Sequence, residues 1–217
     1  MIRAVIFDMD GLLIDSEPLW QEAEIKTFRE VGVPLTKERT KETMGFRVDE
    51  VVEHWFLHYP WKSPSKKDVE AKVVKRVIEF IQEKGKARKG AEKIIRLFAK
   101  KKIPMAIASS SQTEIINAVL DKVSIRKYIK VAYSAEHELY GKPHPGVYIT
   151  AAKKLHVEPE SCLAFEDSPN GVLSTKAAKM KCIAVPDATV RNNAVFSIAD
   201  MVIDSLEDFR LKYLERV

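Results

Sequence analysis

The sequence predicts an α/β protein: a doubly wound parallel sheet built from two pieces of the chain, with an all-helical segment inserted after the first strand. Three observations predict it. Ala4-Val5-Ile6-Phe7 is an unbroken apolar run that stops at Asp8-Met9-Asp10-Gly11. From Glu17 to about Lys84, apolar residues recur at helical spacing and no strand-like run interrupts them. From Gly90 onward short apolar runs alternate with helical segments, the pattern of a parallel sheet covered on both faces.

Residues 2–7 read as the first strand. Helices are expected from about Pro18 to Val31, Lys37 to Met44, Val48 to His58 and Lys66 to Glu83. Pro18 suits a first helical turn, Gly32 and Gly45 suit helix ends, and Pro60 and Pro64 separate the last two helices. Further strands are expected at 103–109, 130–134, 162–167, 182–186 and 201–204, with helices at 91–101, 112–122, 145–155 and 170–179. The expected division is a Rossmann-like core of residues 1–15 and 87–217 and a helical domain of residues 16–86. Hinges would fall near Asp15-Ser16 and Lys84-Gly85-Lys86.

The bulk numbers set outer bounds. A chain of 217 residues with 46% apolar content can bury a substantial core. No apolar run approaches the ~20 residues that span a bilayer, and a strand beginning at Ile2 leaves no room for a signal peptide, so a cytoplasmic protein without a membrane partner is expected. Cys162 and Cys182 each open an apolar stretch and read as reduced core residues. Between Lys62 and Lys102 stand 15 basic residues against 5 acidic ones. Without aromatic interleaving or a recognised motif this reads as a solvated helix surface, and no nucleic-acid partner is expected. A monomer is expected.

In open parallel sheets ligands bind beyond the carboxyl ends of the strands. Those ends carry Asp8 and Asp10, then Ser109-Ser110-Ser111, then a loop with Gly141-Lys142-Pro143, then Glu166-Asp167. Three converging carboxylates face one lysine. Two like charges 4 Å apart repel by roughly 4 kcal/mol at an effective dielectric of ~20, so the cluster calls for a cation. Hard oxygen ligands favour Mg2+, which shares its coordination shell with substrate phosphate. A cation, a lysine and a serine hydroxyl make a phosphate cradle, and a carboxylate aimed into it is a nucleophile.

That order of residues resembles the haloacid dehalogenase superfamily of phosphohydrolases, over the whole chain. Asp8-Met9-Asp10-Gly11, Ser109, Lys142 in GKPHP and Glu166-Asp167 in FEDSPNG match its four motifs. The helical insert looks like its α-helical cap. DSEPLW, GFRVDEVVEHWF, YPW and EDSPNGVLSTKAAKM are similar to the β-phosphoglucomutase-like branch, closest to hexitol and 2-deoxyglucose-6-phosphate phosphatases. The resemblance implies that Asp8 is the nucleophile and Asp10 the proton shuttle. It implies Mg2+ held by Asp8, the carbonyl of Asp10 and Asp167, with Glu166 acting through water. Phosphoryl oxygens would meet Ser109, Ser110, Lys142 and the backbone after Asp8, beginning with Met9. Arg47, at a helix start in the cap, is the residue expected to contact substrate. The implied activity is Mg-dependent hydrolysis of small sugar or sugar-alcohol phosphates, of the hexose or hexitol 6-phosphate type, through an aspartyl phosphate.

Two departures matter. Lys89-Gly90 stands where relatives often have Pro-Gly. Trp20 stands where related mutases carry a histidine that manages the proton on Asp10, which favours hydrolysis over the alternative, a β-phosphoglucomutase-type transfer. A signalling receiver domain fits poorly because it lacks a large helical insert, and haloalkanoate dehalogenation because it has no use for Asp10. His54 and His58 share a helix face but lack the Glu of a zincin motif, so packing is expected of them. Trp55, Phe56 and Trp61 are expected in the core of the helical segment.

Overall fold

The computed structural model describes residues 2–215; the outermost residues of the expected core domain, Met1 and residues 216 and 217, lie outside the described residues. The first strand, β1 (Ala4–Phe7), is buried at every position. Its side chains alternate between two cores, with Val5 and Phe7 in one and Ala4 and Ile6 in the other. A strand with no solvent face reads as a continuous apolar run, which is why this one was legible.

Four helices follow: α1 (Glu17–Glu30), α2 (Lys37–Thr40), α3 (Val48–His58) and α4 (Lys66–Lys84). None of the sheet's strands lies among them. Ser65 and Asp68 close a capping box at the start of α4, satisfying backbone donors at that end. Trp55 is fully buried, with the Arg39 guanidinium 4.6 Å from its ring. Phe56 and Trp61 are half-buried and meet edge to face at 4.8 Å.

The rest of the chain runs α5 (Ala91–Lys100), β2 (Met105–Ser109), α6 (Thr113–Lys122), β3 (Val131–Ser134), α7 (Gly146–Lys154), β4 (Cys162–Glu166), α8 (Pro169–Ala177), β5 (Lys181–Ala184) and β6 (Met201–Val202). The six strands form one sheet in the order β3-β2-β1-β4-β5-β6, and every pairing is parallel. Helices α5 and α6 cover one face through Ile94, Phe98, Ile115 and Ile116. Helix α7 covers the other through Tyr148, Ala151 and Ala152. Strand β1 lies between β2 and β4, with Phe7 opposite both Ile107 and Phe165. That register brings Asp8, Ser109 and Glu166 to one edge, where the direction of winding switches and a crevice opens.

Two chain segments connect the helices to the sheet, and they run side by side. Ile14 and Ala87 form an antiparallel bridge; the Asp15 N–H donates to the Lys86 carbonyl and the Arg88 N–H to the Leu13 carbonyl, each at 2.9 Å.

Several expected boundaries shorten. Strand 103–109 begins only at Met105, because Pro104 has no N–H for the ladder. Strand 2–7 begins at Ala4, where pairing with Cys162 begins. The last strand, expected at 201–204, is two residues at the sheet edge. The expected helix 37–44 is α2 followed by a tighter 3-10 turn at Lys41–Thr43. In the basic stretch, Lys66 pairs with Glu53, Lys72 and Arg76 with Glu30, Lys84 with Glu22 and Arg96 with Glu92. His58 Nδ1 lies 2.8 Å from the His54 carbonyl and the two rings pack 4.5 Å apart. No described helix is long and apolar enough to cross a membrane. Cys162 and Cys182 are buried free thiols pushed up to about 12 by burial, so they are unreactive near neutrality.

Phe98 is fully buried and its ring meets Phe7, Phe165 and Phe209 at 6.2, 6.1 and 5.4 Å. Phe98→Ala should cost about 3–5 kcal/mol of unfolding free energy in urea titrations, because the sheet and α5 cannot close the void. A loss below about 1 kcal/mol would show that this aromatic cluster does not anchor the core.

Candidate active site

The site is built outward from the end of β1. Asp8 leaves the strand with its N–H on the Phe165 carbonyl at 3.0 Å. The Lys142 ammonium reaches it from the loop before α7, donating to Asp8 Oδ1 at 2.5 Å and Glu166 Oε1 at 2.7 Å. It also reaches the Ala108 carbonyl at 3.1 Å and the Tyr148 hydroxyl at 3.2 Å. Lys142 is thus a buried charge with every proton engaged. Burial works against its charge, but Asp8 and Glu166 outweigh that and hold the ammonium above its ordinary range.

Glu166 is fully buried. The Tyr148 hydroxyl donates to its Oε1 at 2.6 Å. Its Oε2 accepts from the N–H groups of Asp167 and Ser168 at 3.0 and 3.2 Å, at the start of α8. A side chain at Gly171 would place Cβ 1.8 Å from Glu166 Oε1, so the glycine makes room for the carboxylate. Gly11 has φ +72°, and a Cβ there would lie 2.1 Å from Asp167 Oδ2. It turns the chain away from Asp8 and keeps Asp167 at the site.

Carboxylate oxygens of Asp8, Glu166 and Asp167 all lie within 4.8 Å of one another. Burial pushes Asp8 up to about 8 against the pull of Lys142, with Glu166 adding to the rise, and burial followed by the charges of Asp8 and Glu166 holds Asp167 well above the ordinary carboxylate range. One lysine does not neutralise three crowded carboxylates. The all-oxygen donor set and this surplus of negative charge fit a divalent metal ion, and these three residues could hold one.

The structure engages both carboxylate oxygens of Asp10. Oδ1 accepts from Ser16 Oγ at 2.7 Å and Trp20 Nε1 at 3.0 Å. Oδ2 accepts from Ser111 Oγ at 2.7 Å and Ser109 Oγ at 3.4 Å. Ser109 therefore stands between the two aspartates' strand end and the Ser111 N–H, which donates to its Oγ at 3.0 Å. Ser110 turns its hydroxyl to the Gly45 carbonyl at 3.0 Å. Met9 is fully buried at the turn between the two aspartates.

Arg47 is the expected site residue that the structure sets apart. Its guanidinium donates to the carbonyls of Glu138 and Ala135 at 2.9 and 3.3 Å and forks onto Asp49. It lines a separate depression with Glu70, Gln112 and Glu136. A bidentate carboxylate partner two residues away and two core carbonyls consume its donors.

Asp8, Asp10, Ser109, Ser110, Lys142 and Asp167 line one cavity of about 80 Å³, closed on the opposite side by Glu17, Trp20, Gln21, Glu24, Thr40, Thr43, Phe46 and Val51 from the helical segment. Sequence reasoning missed Tyr148, Ser16, Glu17 and Glu24. Only the stripe Glu17, Gln21 and Glu24 carried a signal, a polar run at helical spacing on the helix nearest Asp10.

A doubly wound sheet whose strand ends bring together two aspartates, a buried lysine and an acidic pair defines a hydrolase class. The haloacid dehalogenase-like hydrolase family matches residues 5–185, and this chain belongs to it. Hexitol phosphatase B of Escherichia coli (strain K12) is 38% identical over 214 residues, spanning 98% of this chain and 96% of the relative. The crystal structure of CbbY from Rhodobacter sphaeroides in complex with phosphate superposes with a TM-score of 0.87 at 27% identity, covering 96% of each chain. β-Phosphoglucomutase from Clostridium difficile shares the fold with a TM-score of 0.86 at 22% identity, over 99% of this chain and 96% of that one.

Glu24 has an ionisation consequence. Burial, then the charge of Glu17, pushes its carboxyl from an ordinary 4.5 up to about 8. The folded protein therefore holds a proton that the unfolded chain releases above about 4.5, and this contribution to stability is lost as pH rises from there through about 8. Glu24→Gln should raise Tm at pH 8 and leave it nearly unchanged at pH 4.5. Equal Tm shifts at both pH values would show that the carboxyl is not held neutral.

Proposed function

We propose that this chain is a Mg2+-dependent phosphatase of sugar or sugar-alcohol monophosphates, of the hexose or hexitol 6-phosphate type, acting through an aspartyl phosphate. The observation that carries this reading is the distribution of charge in the cavity. Lys142, beside Asp8, is the one basic side chain among the described lining residues, and the opposite wall carries Glu17 and Glu24. Such a cavity suits one phosphate and an uncharged remainder. The similarity to hexitol phosphatase B supports the same substrate class.

In this reading an Asp8 oxygen attacks phosphorus in line while the phosphorus–ester oxygen bond breaks. Lys142 and Ser109 hold the phosphoryl oxygens, with the backbone N–H groups that follow Asp8. Asp10 gives its proton to the departing alkoxide, then takes one from the water that hydrolyses the acyl phosphate, regenerating Asp8 and releasing phosphate. Asp8, Asp167 and the Asp10 carbonyl would hold a magnesium ion, with Glu166 acting through water, and the ion would supply the positive charge that lets an anionic nucleophile approach a phosphate. The engagement of both Glu166 oxygens by Lys142, Tyr148 and backbone amides supports its outer position.

Trp20 supports hydrolysis over the mutase alternative. Its indole N–H donates to Asp10 Oδ1 and has no lone pair to take a proton. The hydroxyls of Ser16, Ser109 and Ser111, which both donate and accept, are left to accommodate Asp10 when it is protonated. A mutase must also hold a bisphosphate, and the described residues of the wall opposite Asp8 offer a second phosphate no basic side chain. We further propose that residues 16–86 act as a cap over the core of residues 1–15 and 87–217, hinged at the paired segments around Ile14 and Ala87. Arg47, Ser110–Gly45 and a 2.6 Å Gln112–Glu70 hydrogen bond would close it.

Phosphate release from a panel of hexose and hexitol phosphates should require Mg2+, stop with EDTA, and fall at least about 10³-fold in Asp8→Asn. Wild-type rates in Asp8→Asn would overturn the mechanism. With β-glucose 1-phosphate and a trace of glucose 1,6-bisphosphate, net phosphate release should dominate. Isomerisation without phosphate release would establish the mutase instead.

A further inference from the structure

Glu24 is 7% exposed, lines the cavity, and its Oε2 has no hydrogen-bond partner among the described residues. Glu166 and Asp10, by contrast, accept from named donors at both oxygens. A buried polar atom without a protein partner calls for an explanation, and one whose side chain lines a cavity has a ligand group to meet there. Its neighbours sharpen what that group is. Gln21 Nε2 donates to Glu17 Oε1 at 3.0 Å and not to Glu24. Thr40 and Thr43 line the same cavity, but their hydroxyls donate to the carbonyls of Lys37 and Thr40.

Position on α1 sets the distance scale. Trp20 touches Asp10, and Glu24 follows four residues later on the same helix, one turn or ~6 Å further along. A phosphate ester cleaved beside Asp10 would therefore present to Glu24 a group several carbons along the chain of its alcohol. A phosphate there would meet two carboxyls and no cation. Hydroxyl groups are the fitting partners, since a neutral carboxyl both donates and accepts, and burial pushes Glu24 up to about 8.

We propose that Glu24 is a specificity-determining residue that hydrogen-bonds a hydroxyl on the carbon chain of the leaving alcohol, several carbons from the phosphate ester, and so selects polyhydroxylated monophosphates. This rests on the phosphatase reading above and names the residue that reads the substrate.

The experiment compares kcat/KM for a hexitol 6-phosphate with that for hexyl phosphate, which shares the primary ester and lacks the hydroxyls, in the Mg2+-loaded full chain. Glu24→Leu should lower the hexitol-to-hexyl ratio by about tenfold or more, chiefly through KM. Glu24→Gln, which keeps one donor and one acceptor in the same volume, should hold the ratio within about threefold of wild type. Circular dichroism and Tm of each variant separate loss of fold from loss of selectivity, and the ratio is independent of the fraction folded. An unchanged ratio in Glu24→Leu, or equal losses in both variants, would overturn the assignment while leaving the phosphatase reading intact. Wild-type protein that releases phosphate from neither ester would overturn both.

Discussion

One buried ammonium, shared between Asp8 and Glu166, ties together five elements of the core. Lys142 comes from the loop before α7, Asp8 from the end of β1, Glu166 from the end of β4, the Ala108 carbonyl from β2, and Tyr148 from α7. Removing any of three charges from water is costly, and the cost is offset only because each finds its partners at hydrogen-bond distance. Glu166 in turn rests on the Asp167 and Ser168 amides that lead into α8, and Gly171 is small so that this carboxylate can lie where it does. The site is therefore a consequence of how sheet and helices meet, and its precision comes from the same contacts that close the core.

The sheet explains why these charges are tolerable. Parallel strands buried on both faces are apolar along their length, so polar residues are pushed to the ends, and the register places three strand ends side by side. Carboxylates gathered there exceed the one lysine that faces them. Burial and mutual repulsion drive Asp8 and Asp167 towards neutrality in the protein alone. A divalent cation would reverse that shift, which couples metal binding to the ionisation of the proposed nucleophile. Asp10 has a different environment: hydroxyls and an indole N–H surround it, groups that orient a carboxyl without adding charge.

The helical segment supplies the other half of the cavity and with it the chemical contrast. The core end offers a cation-hungry cluster and Lys142; α1 offers Glu17, Gln21 and Glu24. On the proposed reading, a ligand matching both is anionic at one end and hydroxylated at the other. This polarity, more than the fold, separates a monophosphate hydrolase from a mutase that shares the same architecture, since chains of this fold serve several chemistries.

Much of this was legible before any coordinates. β1, the four inserted helices and the alternation after Gly90 follow from apolar periodicity. Asp8, Asp10, Ser109 and Glu166-Asp167 stand out because polar residues at strand ends break an apolar pattern, and Lys142 stands out in the loop that follows β3. What the sequence left undecided depended on side chains from distant positions meeting. Arg47 looked like a substrate contact because arginine suits anions, yet core carbonyls at Ala135 and Glu138 take its donors. Tyr148 looked like an ordinary helix residue, since nothing local distinguishes a buried hydroxyl from an exposed one, and the polar stripe that holds Glu24 does not say which of its members is buried. Trp20 was notable by its identity, but its hydrogen bond to Asp10 exists only because α1 returns over the end of β1. By itself the sequence determined the order of elements and the chemistry at the strand ends, because both are written in local periodicity and charge. The tertiary structure alone decided which polar groups are satisfied and which are left facing the cavity, because burial and partnership are properties of the packed chain.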